Sequence, residues 1–357
     1  AVVGVQPFGG QGKSGTGPKA GGSFYMHRLA NEKLIHLDGK DIEYGYDDND
    51  DYKQLTQDKI QSKYLISSIV NGLHIRGNQS FELKDSADKV IGNKYQSSVR
   101  TVSDAIDTAD SFADEWNNTN ADIRASKIVI FADMLEQERH SIAASLVAES
   151  NVSIKDAHMQ IDKTIEQISY YCMQAANELY EPTVLPGPTG ELDEVSLIGR
   201  GVVVSMCSSD DSLVRFVSQT VAAILAGNTV VAKPSYNGSL TAYNIVNLMI
   251  KSGLNKKAIQ LILSDADEIT SALLFNSQVA LVAFTGDMGS VKQVHQALSL
   301  RRGAIIPLVA ESVSKNGKCT KLAIETVSPL YLRRFAVEKT VSTDTTASGG
   351  NASLMSL

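Results

Sequence analysis

Five short apolar runs between Gly201 and Glu311 constrain the fold of this chain more than any other feature. They are Gly201-Val-Val-Val-Ser-Met-Cys207, Thr229-Val-Val-Ala-Lys-Pro234, Ile259-Gln-Leu-Ile-Leu263, Ala280-Leu-Val-Ala-Phe-Thr-Gly286 and Ala304-Ile-Ile-Pro-Leu-Val-Ala310. Each is rich in apolar and β-branched residues and bounded by Gly, Pro, Asn or Asp. A strand without polar alternation is buried on both faces, which requires helices above and below a parallel sheet. The intervening segments supply them: Leu213, Phe216, Val217, Thr220 and Ile224 recur at helical spacing. The expected fold class is α/β, a Rossmann-type parallel sheet of the nucleotide-binding kind.

The chain is long enough, at 357 residues, for two domains or for one large domain with appendages. Its net charge of −7, with no Lys/Arg stripe, argues against nucleic acid as a partner. No apolar run reaches the ~18 residues that would span a bilayer. Cys172, Cys207 and Cys319 are widely spaced and odd in number, so neither a disulfide framework nor a metal site is expected, and a cytoplasmic location is. Ala1-Val-Val-Gly-Val begins inside an apolar run, without Met or a signal-peptide flank, which reads as a fragment with its upstream part missing.

The opening Pro7-Phe-Gly-Gly-Gln-Gly-Lys-Ser-Gly-Thr-Gly-Pro-Lys-Ala-Gly-Gly22 contains a GxGxxG match and a Gly-Lys-Ser, yet neither phosphate-binding reading holds. Pro7 stands where a Walker loop needs Gly, and the residues after Gly15 cannot open a helix. An irregular loop lying close to another backbone is expected instead. Asp38 to Asp58 is acidic and poor in apolar residues, a solvated connector, while Tyr64 to Ile75 is apolar enough to pack on a neighbour. Three helices are expected over residues 99–186. Their stripes run Val102 to Trp116, Ile128 to Leu146, and Ala157 to Leu179, the last starting after Ser153 as N-cap. Phe335 to Ala347 is alternating and β-branched and reads as an extended strand, a template for pairing with another sheet edge.

The run from Ala1 to Leu29, with its Pro-Phe-Gly-Gly and Gly-Pro-Lys-Ala-Gly-Gly, resembles the carboxyl-terminal end of the glutamate-semialdehyde (pyrroline-5-carboxylate) dehydrogenase module of bifunctional proline-utilisation flavoenzymes. The helices followed by Leu185-Pro-Gly-Pro-Thr-Gly-Glu191 are similar to the start of an aldehyde dehydrogenase. The tail Val337-Glu-Lys-Thr-Val-Ser-x-x-Thr-Thr-Ala-x-Gly-Gly-Asn-Ala-Ser-Leu-Met355 resembles the last motif of the longer proline-utilisation proteins. The resemblance implies residues 1–29 as the end of a catalytic domain, 30–78 as a linker, 79–330 as a non-catalytic aldehyde-dehydrogenase-like domain, and 331–357 as a docking or oligomerisation strand. It implies Ala1 and Phe8 as substrate contacts, through a backbone donor and an aromatic face. It also implies NAD and FAD as cofactors of the parent, a cytoplasmic location with peripheral inner-membrane association open, and the catalytic dehydrogenase domain of the same chain as partner, alongside a homo-oligomer.

Position by position, the resemblance also implies lost chemistry. Lys233 matches the ribose-binding lysine, Thr285 and Gly286 retain Phe-Thr-Gly, and Glu311 matches the general-base glutamate. Asp210 stands where the family has the oxyanion-binding Asn, and a carboxylate offers no donor there. Ser264 replaces a glycine, and Asp287 replaces a serine where a pyrophosphate would approach a helix N-terminus. Cys319 lies only eight residues beyond Glu311, out of register for a nucleophile. The expectation is a structural domain that binds no cofactor and covers the parent's dehydrogenase site. The alternative is a vestigial domain kept as an NAD-binding or other nucleotide-binding regulatory module.

Overall fold

The computed structural model describes residues 7, 9–16, 19–20, 22, 24–30, 63–85, 88–150, 152–178, 182–185, 190–208, 212–312 and 330–344. The elements open with β1 (Gln11–Gly12), β2 (Gly15–Thr16) and α1 (Tyr25–Arg28), then β3 (Tyr64–Ile66), β4 (Ser68–Val70), β5 (Leu73–Ile75), β6 (Ser80–Lys84) and β7 (Val90–Tyr95). Four helices follow: α2 (Val99–Asn118), α3 (Ala121–Gln137), α4 (Arg139–Ser150) and α5 (Ile154–Glu178). Next come β8 (Thr183–Leu185), β9 (Glu191–Gly199), β10 (Val202–Cys207), α6 (Ser212–Leu225), β11 (Thr229–Lys233), α7 (Ser239–Lys251) and β12 (Ile259–Leu261). The chain continues through α8 (Asp267–Phe275), β13 (Val279–Gly286), α9 (Met288–Ser299), β14 (Leu308–Ser312), α10 (Tyr331–Arg334) and β15 (Ala336–Asp344).

The apolar runs form the parallel heart of a seven-stranded sheet of order β14-β13-β10-β11-β12-β4-β5. Every residue of β10 and β12 is buried, as strands covered on both faces must be. The Leu213, Phe216, Val217 and Ile224 stripe of α6 is buried in the same core. The last strand starts later than the apolar run suggests, at Leu308 rather than Ala304. Pro307 has no N–H to give to a ladder, although its carbonyl accepts from Val282 at 3.2 Å.

Where three helices are expected, four form, because the second stripe is cut at Glu138 between α3 and α4. At the cut the Arg139 guanidinium is held by Glu136 and by Asp162 of α5, both at 2.5 Å. Ser153 caps α5 as expected, accepting the Asp156 N–H at 3.0 Å. Trp116 and Arg124 serve packing: their side-chain N–H groups donate to the Ile224 and Leu225 carbonyls at the end of α6.

The stretch read as a linker up to residue 78 is strand-forming from Tyr64 to Ile75. β4 joins the main sheet antiparallel to β12 through Leu261 and Ile69, and the Ser68 hydroxyl accepts the Leu263 N–H at 3.0 Å. These strands are three residues each, too short to display a period. The acidic stretch from Asp38 to Asp58 lies outside the described residues.

The tail strand is present as β15, paired antiparallel with β9 over nine residues in a separate sheet of order β15-β9-β8. Asn228 ties this sheet to the core. Its carbonyl oxygen accepts the Arg200 and Gly201 N–H groups at 2.6 and 3.2 Å, and its amide donates to the Ala223 and Phe335 carbonyls at 3.0 Å.

Candidate functional site: the carboxyl edge of the parallel sheet

In a sheet of this kind ligands bind beyond the carboxyl ends of the strands. Here the register sets Cys207 beside Thr285 and Thr285 beside Glu311, on three adjacent strands. Gly286 pairs with Ser312, and Lys233 ends β11 on the other side of β10, paired with Met206 and one position short of Cys207. The structure therefore brings Thr285, Gly286 and Glu311 together, with Lys233 on the far flank. Ala1, Phe8, Asp210 and Cys319 lie outside the described residues.

The side chains at this edge bond to one another. The Thr285 hydroxyl donates to Gln219 Oε1 at 3.1 Å. Gln219 Nε2 in turn reaches Ser205 Oγ at 2.9 Å, the Met206 carbonyl at 3.1 Å and Cys207 Sγ at 3.2 Å. Burial pushes the Cys207 thiol up to about 12, and the Glu311 charge adds to the shift. A thiol that holds its proton throughout the neutral range is a poor nucleophile.

Glu311 is buried and lies in hydrogen-bonding contact with the Tyr331 hydroxyl. Tyr331 comes from the short helix α10 and is itself fully enclosed. Its ring stacks on Tyr171 of α5, with centroids 5.7 Å apart and planes 15° apart, and Phe335 meets it edge-on at 5.3 Å. The Tyr171 hydroxyl accepts from Gln167 Nε2 at 3.0 Å. Burial first, and the Glu311 charge second, drive both phenols well above their usual range, so both stay neutral donors. A base needs open access to a water or a thiol; this one is buried and engaged by a buried phenol.

At the next position Asp287 caps α9. Its Oδ1 accepts the Gly289 and Ser290 N–H groups at 2.8 and 3.1 Å, and Oδ2 accepts the Ser290 hydroxyl at 2.6 Å. The donors that a phosphate would use are spent on a carboxylate of the chain itself. Gly286 carries no Cβ for a packing reason: one built there would sit 2.1 Å from Ser208 Oγ and 2.8 Å from the Phe284 ring.

On the far flank β7 folds over the ends of β11 and β12. Ser264 Oγ accepts from Gln96 Nε2 and from the Ala266 N–H, both at 3.1 Å. The cavity between Phe81, Lys94, Gln96, Pro234 and Asp265 measures about 10 Å³, room for a single water. Burial lowers Lys233, with Asp265 and Asp267 opposing, and lowers Lys94 to about 8, with Glu149 and Asp265 opposing. Glu149, at the end of α4, is raised to about 7 by burial, against the pull of the Leu240 and Thr241 N–H groups it accepts at 2.6 and 2.8 Å.

Sequence reasoning missed Tyr331, Tyr171, Gln219 and Lys94 as members of this edge. Tyr171 and Gln219 sit inside helical stripes, where they are indistinguishable from core, and nothing in the chain order links Tyr331 to Glu311. Among the described residues no cluster of His, Cys, Asp and Glu is able to hold a metal, and no helix is long and apolar enough to cross a membrane.

Comparison with known proteins bears on this edge directly. The profile of the aldehyde dehydrogenase family matches residues 76–317, well over half of the chain. The chain is 27% identical over 239 residues to 1-pyrroline-5-carboxylate dehydrogenase 1 of Halalkalibacterium halodurans, covering 66% of this chain and 46% of that one. It is 26% identical over 220 residues to 1-pyrroline-5-carboxylate dehydrogenase 2 of Bacillus subtilis, covering 61% and 42%. It thus spans less than half the length of these relatives. Among solved structures, proline utilization A (PutA) from Bradyrhizobium japonicum aligns with a TM-score of 0.59 at 31% identity, over 61% of this chain and 22% of that one. PutA from Bdellovibrio bacteriovorus aligns with a TM-score of 0.69 at 18% identity, over 74% and 28%, a likeness of fold.

Proposed function

The chain belongs to the aldehyde dehydrogenase family, and from that premise we propose that it is a non-catalytic member domain, part of a bifunctional proline-utilisation protein that oxidises proline to glutamate. In this reading residues 1–29 end the catalytic semialdehyde dehydrogenase, residues 79–330 are a degenerate relative of the same fold, and residues 331–357 are the docking strand. The parent uses FAD for proline oxidation and NAD for the semialdehyde step, and this domain covers and stabilises the dehydrogenase site. The similarity to two 1-pyrroline-5-carboxylate dehydrogenases and to PutA structures supports the pathway, and the coverage of 22–28% of each PutA chain agrees with a piece of a larger protein.

One observation carries the non-catalytic reading: the Tyr331 phenol is hydrogen-bonded to Glu311, the residue that matches the family's general base, and both are buried. The family normally uses NAD, and the residues at this edge do not fit it. Asp287 holds the α9 N-terminus and β7 leaves about 10 Å³ where the far flank would open. Lys233 and the Phe284-Thr-Gly286 run are then vestiges whose side chains serve packing. The test is calorimetric titration of NAD into the 357-residue chain, with an assay for NADH from glutamate semialdehyde. Expected are no binding tighter than about 1 mM, or ~4 kcal/mol, and no turnover. Tighter binding favours the regulatory nucleotide module; NADH production refutes the non-catalytic reading altogether.

A further inference from the structure

A single carboxylate joins the two ends of the described chain. Glu338 is the third residue of β15, opposite Leu197 of β9, and is only 3% exposed. Its Oε2 accepts the backbone N–H of Lys19 at 3.0 Å, across 319 residues of sequence, and the backbone N–H of Phe24 donates to the same carboxylate. Both ends of the Lys19–Phe24 turn are thus held at one point, and the turn closes on itself through the Gly22 N–H to the Lys19 carbonyl at 3.4 Å.

Two further contacts fix this arrangement. Gly22 is buried so tightly that a Cβ there would lie 2.8 and 2.9 Å from the Pro7 ring and 3.1 Å from Glu338 Oε1. The turn therefore requires glycine at this position if it is to reach the carboxylate. Beside it the Arg333 guanidinium of α10 sits over the Phe24 ring, 4.6 Å from its centroid. Burying a carboxylate is costly unless its oxygens are bonded. Here backbone donors meet part of that need at Oε2, the Lys19 charge adds to them, and Oε1 is buried against Gly22 without a hydrogen bond from any described residue.

We propose that Glu338 is a latch that fastens the glycine-rich segment of residues 7–24 to the tail sheet, making β15 the positioning element for the substrate end of the dehydrogenase to which that segment belongs. The positioning half of this rests on the reading under Proposed function; the latch itself rests on the contacts above. Glu338 is a positioning residue, since it touches backbone rather than substrate.

The test is amide hydrogen exchange on the 357-residue chain with Glu338→Leu, which removes the carboxylate. Leucine keeps roughly the length of the side chain and offers no acceptor to either N–H. Expected is at least tenfold faster exchange at Lys19 and Phe24, with Val230 and Val231 of β11 unchanged. Gly22→Ala, which leaves Glu338 in place and pushes the turn away, should release the same two amides. Wild-type exchange at both amides in Glu338→Leu overturns the latch. In the full-length protein the same variant should raise KM for the semialdehyde severalfold with kcat within twofold. Released amides with an unchanged KM would overturn the positioning role and count against the functional reading, while leaving the latch standing.

Discussion

The carboxyl edge of the main sheet and the inner face of the tail sheet treat polar groups in opposite ways. At the edge, the positions that the family devotes to a ligand are engaged by neighbours close in the fold: Thr285 by Gln219, Glu311 by Tyr331, and the α9 N-terminus by Asp287. At the tail sheet, a buried carboxylate accepts backbone N–H groups from the other end of the chain. The first region has turned inward and become core. The second reaches outward and holds a distant segment. Residues at the edge should therefore govern stability, and those at the tail sheet should govern where the glycine-rich segment sits.

The largest effect that would break this contrast is at Tyr331. Truncating a fully buried aromatic costs about 3–5 kcal/mol, and Tyr331→Ala also removes the partner of Glu311 and of the Tyr171 stack. Urea unfolding should show a loss in that range. A loss below about 1 kcal/mol, accompanied by new NAD binding, would mean that the edge is a closed site rather than a core.

The second effect concerns Glu149 and Lys94, the latter a residue of β7. Glu149 is raised to about 7, so the folded state keeps its proton between an unfolded value near 4.5 and about 7, and its contribution to stability is lost as pH rises through that window. Lys94, lowered to about 8, releases its proton earlier when folded, so its contribution is present above 10.5 and lost as pH falls to about 8. Together they place a minimum between about pH 7 and 8. Asp162, raised to about 6, acts in the same direction as Glu149, and His158, lowered to about 4, acts against it, so the quantity to measure is a difference. Subtracting the unfolding profile of Glu149→Gln from that of the wild type should leave a fall of roughly 3 kcal/mol between pH 4.5 and 7. A flat difference would show that this flank is open to solvent.

The contrast also explains what the sequence discloses. Continuous apolar runs announce the parallel core because burial on both faces leaves no polar alternation, and β10 to β13 follow from that alone. The short strands at Tyr64 to Ile75 escape notice because three residues carry no period. At the site, substitutions within a motif are visible: Asp287 and Ser264 stand out against the family pattern. Their partners are not. Tyr331 on Glu311, Gln96 on Ser264 and Lys19 on Glu338 are tertiary meetings that no local spacing encodes.

The smallest effect separates the charge of Asp287 from its capping role. Read from the sequence alone, Asp287 is a repulsive charge aimed at an absent pyrophosphate. In the fold it is a cap, bonding two N–H groups and a hydroxyl. Replacing a capping Asp by Ala costs ~1 kcal/mol, whereas Ser caps about as well. Asp287→Ala should therefore lose about 1 kcal/mol in urea unfolding, while Asp287→Ser stays within a few tenths. If charge alone barred a dinucleotide, Asp287→Ser would also restore NAD binding in the calorimeter. It should not, because Tyr331 still covers Glu311 and β7 still fills the far flank. A restored affinity tighter than about 1 mM would show that a single carboxylate, and not the inward turn of the whole edge, separates this domain from its nucleotide-binding relatives.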